Sequence, residues 1–464
     1  MDSASPKTAA TQGGPSKLKG RRWTNERLRV LLHAISLSLD CFGVAVGYAV
    51  VSTIRIVDWT ALPVPVLLIT LSLFVMFSVG REVQSTETLA DTQEGVYRSL
   101  GALALTMLAE ILLLFLTQAG GDVSRLGFVG FFAIAACFLV VSHMLQGALN
   151  RVVLGEIVVA TALLIDGRDV EAPPGMTVID LTPRGLWPDL GKPAAMAELS
   201  SEIEGFDRLV VACTDDHYQA WAIFLQGAGA PSEIMAGSDN FRGAIGIGRC
   251  GREDTLIISR GTLSLANRAI KRLFDLTVGG LMLLTLAPLM LFVAIAIRID
   301  SPGPALFRQR RIGLGNRQFE IFKFRSMHTD LSDLVGAAST ARRDPRLTRV
   351  GVHIRRTSID ELPQLINVIL GDMSLVGPRP HALGSMAGER LFWDVDERYW
   401  VRHSLRPGIT GLAQIRGFRG STDSASDLEN RLQCDLEYLS RWNLSLDLRI
   451  LLATVRVIVH DKAY

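Results

Sequence analysis

Two adjacent carboxylates, Asp360 and Glu361, are flanked by arginines in the run Arg355-Arg-Thr-Ser-Ile-Asp-Glu-Leu-Pro-Gln364. Twelve residues beyond Asp360 lies Asp372, in Gly371-Asp-Met-Ser-Leu-Val-Gly-Pro-Arg379-Pro. Guanidinium forks match phosphate oxygens, and a carboxylate can share Mg²⁺ with phosphates, so this pattern suits a metal-neutralised diphosphate. Pro363 fits only the first turn of a helix, which predicts a helix start at or next to Asp360. Free N–H groups and the helix dipole there favour an ionised Asp360 with a phosphate beside it. An ionised Asp so placed can attack phosphorus, and Glu361 can hold Mg²⁺. The competing reading is a capping box, since Ser358 and Glu361 fit Ser-x-x-Glu.

The elements that hold this stretch are partly those of a membrane protein. Hydrophobic residues make up 48% and charged residues 20% of the 464, and mean hydropathy is +0.29. That length allows two or three domains. The net charge of +2 hides a local excess: residues 308–356 carry twelve Lys or Arg against four acids, which calls for an anionic partner. Cys41, Cys137, Cys213, Cys250 and Cys434 are scattered and suggest neither a zinc site nor a disulfide framework.

Residues 1–25 read as a disordered cytoplasmic tail. Apolar stretches near 30–54, 62–80, 100–117 and 126–149 each have the length of a membrane span. Cations cluster before the first, between the second and third (Arg81, Arg98) and after the fourth (Arg151), which places both ends of the bundle in the cytoplasm. Asp40 and Glu110 lie within spans, where a partner helix or a functional pathway would account for them. Beyond residue 156, apolar runs at 157–164, 177–181, 208–213 and 220–225 predict strands of a small α/β domain with a parallel sheet. Asp166-Gly-Arg-Asp169 follows its first strand, so the dinucleotide Gly-x-Gly-x-x-Gly fingerprint is missing. The glycine-rich residues 243–248 read as a loop.

The apolar run 273–299 contains Pro288 and has cations at both ends, including Lys271, Arg272 and Arg298. It predicts a helix that enters the membrane, breaks at Pro288 and returns to the same face, with Thr285 or a neighbour serving the carbonyl freed near Leu284. A kinked span is the alternative. Alternation in Phe319-Glu-Ile-Phe-Lys-Phe-Arg-Ser-Met327 predicts a strand that presents Lys323 and Arg325 on one face. Residues 438–459 read as an interfacial amphipathic helix or a core-packing one.

Together these residues resemble the bacterial polyprenyl-phosphate sugar-1-phosphate transferases of the monotopic type. The resemblance is carried by Lys271-Arg-Leu-Phe-Asp275, Ser301-Pro-Gly-Pro304, Lys323-Phe-Arg-Ser-Met327, Asp344-Pro-Arg-Leu-Thr-Arg-Val-Gly351, Thr357-Ser-Ile-Asp-Glu-Leu-Pro-Gln364, the stretch 367–380, Arg406-Pro-Gly-Ile-Thr-Gly411 and Ala463-Tyr464. It covers about residues 267–464. The fold it implies is a membrane α/β protein: tail 1–25, four-helix transmembrane bundle 26–150, Rossmann-like α/β domain 151–262, and a catalytic α/β domain 263–464 with a re-entrant helix broken at Pro288.

The resemblance also implies a reaction, transfer of a sugar-1-phosphate from a UDP-sugar to undecaprenyl phosphate with release of UMP at the bacterial cytoplasmic membrane. Asp360 is the implied nucleophile, Glu361 the implied Mg²⁺ ligand, and Lys323, Arg325, Arg355, Arg379 and Arg406 implied substrate-binding residues. Lys271 and Arg272 would meet the lipid phosphate, and Asp435 and Asp447 are accessory candidates. Gln414-Ile-Arg-Gly-Phe-Arg419-Gly-Ser-Thr422 is similar to the pattern of members that transfer glucose-1-phosphate, which implies UDP-glucose and a binding role for Arg419. The chain departs from the family patterns at Ala287, where many members have Ser, and at Ser421, where the glucose type has Glu. Membrane lipid is a further expected partner, a homo-oligomer is left open, and nucleic acid is not expected. A non-catalytic scaffold of a polysaccharide assembly complex, or the same reaction with UDP-galactose or another UDP-sugar, are the alternatives.

Overall fold

The computed structural model describes residues 15–53, 64–81, 83, 88, 91–118, 124–154, 160–237, 241–329, 344–418, 422 and 424–458. The chain divides into two compact units, Met1–Ala160 and Thr161–Tyr464.

In the first unit, α1 (Pro15–Thr53), α2 (Val64–Gly80), α3 (Thr92–Leu116) and α4 (Arg125–Leu154) form a bundle in which α1 packs on α4 and α3 packs on both α2 and α4. Its core includes Val44, Phe74, Leu103, Phe131, Phe132 and Leu139. Gly47 lets α1 approach α4 closely: a Cβ there would lie 3.1 Å from Phe131 O and Ala135 N. Apolar helices in lipid associate through such small-residue contacts. Stretches of α1, α3 and α4 are long and apolar enough to cross a membrane, and α2 is a shorter apolar helix of 17 residues. Because α1 begins at Pro15, residues 15–25 are helical rather than part of a disordered tail. Both acids inside the bundle face partner helices. His143 Nε2 lies 3.4 Å from Asp40, and Thr70 donates to Glu110 at 2.8 Å.

The second unit opens with a mixed sheet. The strands β1 (Thr161–Asp166), β2 (Thr177–Asp180), β3 (Arg208–Cys213) and β4 (Pro231–Met235) run parallel in the order β2-β1-β3-β4. Antiparallel β6 (Glu253–Arg260) and β5 (Gly246–Cys250) extend it. The crossovers pass through α5 (Pro193–Glu202) and α6 (Tyr218–Gly227). Residues 220–225, expected as a strand, form the middle of α6, where Trp221, Phe224 and Leu225 are buried at helical spacing. A six-residue apolar run fits either structure. The glycine-rich 243–248 run is not all loop, since β5 starts at Gly246.

Ser264 caps α7 (Leu265–Asp300) by accepting from Asn267 N. The helix continues through Pro288 as one element, so the expected break does not divide it; a proline removes a single donor and the remaining bonds of the ladder persist. Thr285 donates to Leu281 and Met282 O, not to the carbonyl of Leu284. Phe274, Val278, Met282, Leu283 and Leu286 pack on a core of Leu365, Val368, Met373 and Leu375, whereas Val293 and Ile297 pack with Phe324 and Ile354. Leu281, Leu284, Leu291 and Phe292 are exposed.

A hairpin, β7 (Leu306–Ile312) and β8 (Gln318–Phe324), leads to α8 (Arg349–Arg356) and α9 (Gln364–Leu370). Beyond them β9 (Ser374–Val376) pairs in parallel with β10 (Gly408–Thr410). Glycine is required where these strands approach: a Cβ on Gly408 would collide with Gly377 N, and one on Gly377 with Arg406 O. Residues 438–459, expected as one helix, divide between the end of α10 (Ala425–Arg441) and α11 (Leu444–Ile458). Asp447 and Ile450 of α11 are buried, while Leu444, Leu448 and Leu452 are exposed.

Candidate active site

The carboxylate pair is placed by a sequence of local constraints. Thr348 caps α8 by accepting from Gly351 N, and Asp300 at the end of α7 accepts from Val350 N at 2.9 Å. After α8 the chain reverses at Ser358, whose φ of 56° is left-handed and unusual for a side-chain-bearing residue. A 3-10 turn, Ile359–Glu361, follows, and Pro363 precedes α9 as its N-cap. The Ser358 side chain makes no capping bond to this turn, so the capping box that the sequence allowed does not form. Asn367 of α9 stitches the helix to β8, accepting from Phe322 N at 2.9 Å and donating to Glu320 O at 2.7 Å. That register brings Lys323 to Glu361.

Glu361 is gripped from two directions. Lys323 donates to Oε1 at 2.9 Å, and Arg379 forks onto both oxygens at 2.5 and 3.2 Å. Burial alone would raise its pKa, but Arg379 and Lys323 outweigh that and hold it well below the usual glutamate range. Burial pushes the half-buried Asp360 above the usual aspartate range; Lys323, Arg355 and Arg379 oppose the shift and Glu361 adds to it. Burial also lowers the Lys323 ammonium. Arg311, not singled out from the sequence, completes the group. It interacts with Glu361 and Arg379, and burial, reinforced by Arg379, lowers it to about 10. The signal for it was period-two alternation, because Arg311 lies across the hairpin from Phe319, on the face that Lys323 shares.

The sequence of the second unit fits known proteins. The profile of the bacterial sugar transferase family matches residues 266–461. An undecaprenyl-phosphate glucose phosphotransferase of Komagataeibacter xylinus is 44% identical over 267 residues, which are 54% of this chain and 50% of that protein. The exopolysaccharide production protein PSS of Rhizobium leguminosarum bv. phaseoli is 50% identical over 186 residues, 40% of this chain and 93% of that protein. The chain belongs to the bacterial sugar transferase family. A UDP-glucose:undecaprenyl-phosphate glucose-1-phosphate transferase of Caulobacter vibrioides is 47% identical over 195 residues, 42% of this chain and 72% of that protein. The aligned stretch thus spans only half the length of the K. xylinus relative.

In this bacterial sugar transferase, Asp360, Glu361, Lys323, Arg355 and Arg379 come together, and other residues expected at the site do not. Arg325 leaves β8, which ends at Phe324, and is buried against Ser301 O (2.7 Å) and Pro302 O (2.6 Å), where it ties down the turn after α7. Lys271 is 5% exposed and donates to Asp447 (2.7 Å), Val376 O (3.0 Å) and Tyr438 Oη (3.1 Å), so both it and Asp447 lie in the interior instead of at a lipid phosphate. Arg272 donates to Val368 and Ile369 O, and Arg406 to Gly371 O; both stabilise the C-terminal end of α9. Asp435 is buried on Arg402 at 2.7 Å. Arg419 lies outside the described residues. Asp275, unnoticed as a functional group, fastens α7 to β9 by accepting from Ser374 Oγ and Leu375 N.

Among the described residues no three His, Cys, Asp or Glu side chains form a metal cluster. Mg²⁺ commonly binds through one or two carboxylates plus substrate phosphates, so the Asp360–Glu361 pair fits an ion shared with a diphosphate. In the α/β part the end of β1 is engaged by neighbouring side chains. Asp166 accepts from Trp221 Nε1 at 2.7 Å and lies 2.8 Å from His217 Nδ1, and Trp187 stacks on the His217 ring.

Proposed function

We propose that this protein transfers glucose-1-phosphate from UDP-glucose to undecaprenyl phosphate, releasing UMP, as the first membrane step of exopolysaccharide synthesis. The observation that carries this reading is the half-buried Asp360 beside a Glu361 held by Lys323 and Arg379, with Arg355 and Arg311 close by. Four cations around two carboxylates leave a positive cleft suited to a diphosphate.

Asp360, kept basic by burial, attacks the sugar-bearing phosphorus. The bond from that phosphorus to the bridging oxygen breaks, UMP leaves with the electron pair, and the glucosyl phosphate becomes an acyl phosphate on Asp360. A phosphate oxygen of the lipid then attacks the same phosphorus, which frees the Asp360 carboxylate and leaves a lipid diphosphate sugar. Arg379 offers the bidentate fork for phosphate oxygens, and Lys323 adds a point charge. Mg²⁺ held by Glu361 together with substrate phosphates would supply charge neutralisation for the departing UMP. Glucose as the sugar is supported by the activities for which the K. xylinus and C. vibrioides relatives are named.

We read α7 as re-entrant. Near one end Asp275 is bonded to Ser374 and Leu375, and at the other Asp300 to Val350 N, so both ends are fastened to the part of the chain that follows the helix. A straight span would separate them; a continuous helix that bends at Pro288, with the bend at its deep point, keeps both on one face. The positive-inside pattern makes that face cytoplasmic. The parallel strands joined by helices support reading the α/β part as Rossmann-like.

Purified in lipid with Mg²⁺ and undecaprenyl phosphate, the protein is expected to release UMP from UDP-glucose, and Asp360→Asn to stay folded and release none. Release by the Asn variant at the unmodified rate would contradict the mechanism. A strong preference for UDP-galactose would overturn the sugar alone.

A further inference from the structure

Behind Arg379 lies a buried cluster that does not reach the cleft. Arg402, 1% exposed, donates from Nε to Asp435 (2.9 Å), from Nη1 to His381 Nδ1 (2.8 Å) and from Nη2 to the carbonyl oxygen of Arg379 (2.8 Å). Tyr399 approaches the same His381 nitrogen at 3.2 Å, and its ring lies 5.4 Å from the Arg402 guanidinium. Burial, with Arg402 next in effect, holds His381 well below its usual pKa, so it is neutral and free to accept at Nδ1. The Arg379 loop is fixed on its other side by backbone bonds, Gly377 N to Thr410 O and Gly408 N to Pro378 O. Arg402 adds a hold on the carbonyl of Arg379 itself.

The 3-10 helix that carries Arg402, Glu397–Ser404, rests on the α/β part of the same unit. Trp400 Nε1 donates to Leu190 O at 3.1 Å, and Gln219 to Glu397 at 3.1 Å. Gly227, the last residue of α6, has no room for a side chain: a Cβ would sit 2.6 Å from Trp400 O and 2.9 Å from Asn316 Nδ2. Since alanine suits a helix better than glycine, this contact and not the helix demands glycine here.

We propose that Arg402 is a positioning residue for the nucleotide-sugar diphosphate, holding the main chain of Arg379 so that its guanidinium stays over the carboxylate pair, and that the α/β part braces Arg402 through Gly227 and Trp400. The proposal rests on the reaction proposed above. It gives the α/β part a role in the chemistry without a ligand of its own. Lysine at 402 keeps the charge for Asp435 but cannot also reach His381 and the Arg379 carbonyl in the same plane.

The test uses the full chain in lipid with Mg²⁺, undecaprenyl phosphate and UDP-glucose. Arg402→Lys is expected to raise KM for UDP-glucose about tenfold with kcat nearly unchanged, the pattern of a lost contact that serves ground and transition states alike. In an Arg379→Ala background the same substitution should add nothing, because its effect passes through Arg379. Gly227→Ala, which touches no site residue, should reproduce the rise in KM, and it decides the matter should Arg402→Lys not fold. Unchanged KM in an active protein, or an equal rise with and without the Arg379 side chain, overturns the proposal alone. An unmodified protein that releases no UMP overturns the reaction and this inference together.

Discussion

Lys323 and Lys271 each meet a carboxylate within one unit, at 2.9 Å from Glu361 and 2.7 Å from Asp447, yet their surroundings differ. All three donors of Lys271 are taken, by Asp447, Val376 O and Tyr438, and Asp447 accepts as well from Tyr438 and Trp442. Nothing remains there for a ligand. Around Glu361 the cations outnumber the acids, Asp360 stands half-buried beside it, and Arg355 and Arg311 add further positive charge. Ion-pair distance therefore does not separate a binding cluster from a structural one. Surplus charge does.

Substitutions at the two clusters should have opposite signatures. Glu361→Ala is expected to cut UMP release on the order of 10³-fold, the scale of a lost electrostatic group at a reacting phosphate, with a smaller fall in thermal midpoint than at Asp447, because Glu361 is less deeply buried. A large fall in midpoint with activity retained would reverse the assignment. Asp447→Ala should do the converse: removing one partner of a buried pair costs about 3–5 kcal/mol, read as a fall in thermal or denaturant midpoint. Stability unchanged by that substitution would mean Lys271 is not sealed.

A smaller effect separates fork from point charge. Arg379→Lys should weaken UDP-glucose binding about tenfold, since an ammonium cannot make the bidentate contact; unchanged binding by calorimetry would show that only charge matters. The smallest is a shift with pH. Lys323 is the strongest charge opposing the raised pKa of Asp360, so Lys323→Met lets that pKa climb further. In the proposed reaction only ionised Asp360 attacks, so the acid limb of kcat/KM should move to higher pH. A limb that stays or moves lower contradicts the pairing. Glu361, held low, adds stability above the ordinary glutamate range and loses it only as pH falls through its depressed value.

Much of the reacting centre was legible because its residues are close in sequence or on one strand face. Asp360 and Glu361 are adjacent, Arg355 is one short helix away, and Lys323 follows from alternation along β8. Arg325 was misplaced because alternation continues on paper past Phe324, where the strand stops. Lys271 looked like an interfacial cation because its partner, Asp447, is 176 residues away, and no local pattern reveals a tertiary ion pair. Strands β1 to β3 were readable from short apolar runs, whereas the run 220–225 could be helix or strand until its partners were known. Arg402 was not singled out, and Asp435 only as an accessory candidate, because their pairing is likewise tertiary.

The most direct test withholds the lipid acceptor. Protein in lipid with Mg²⁺ and UDP-glucose, but no undecaprenyl phosphate, should release at most one UMP per chain and gain the mass of a glucosyl phosphate on the peptide containing Asp360, an adduct that disappears on adding undecaprenyl phosphate. Turnover with the acceptor but no such adduct, or an adduct on any other residue, would contradict the assignment of Asp360 as the nucleophile.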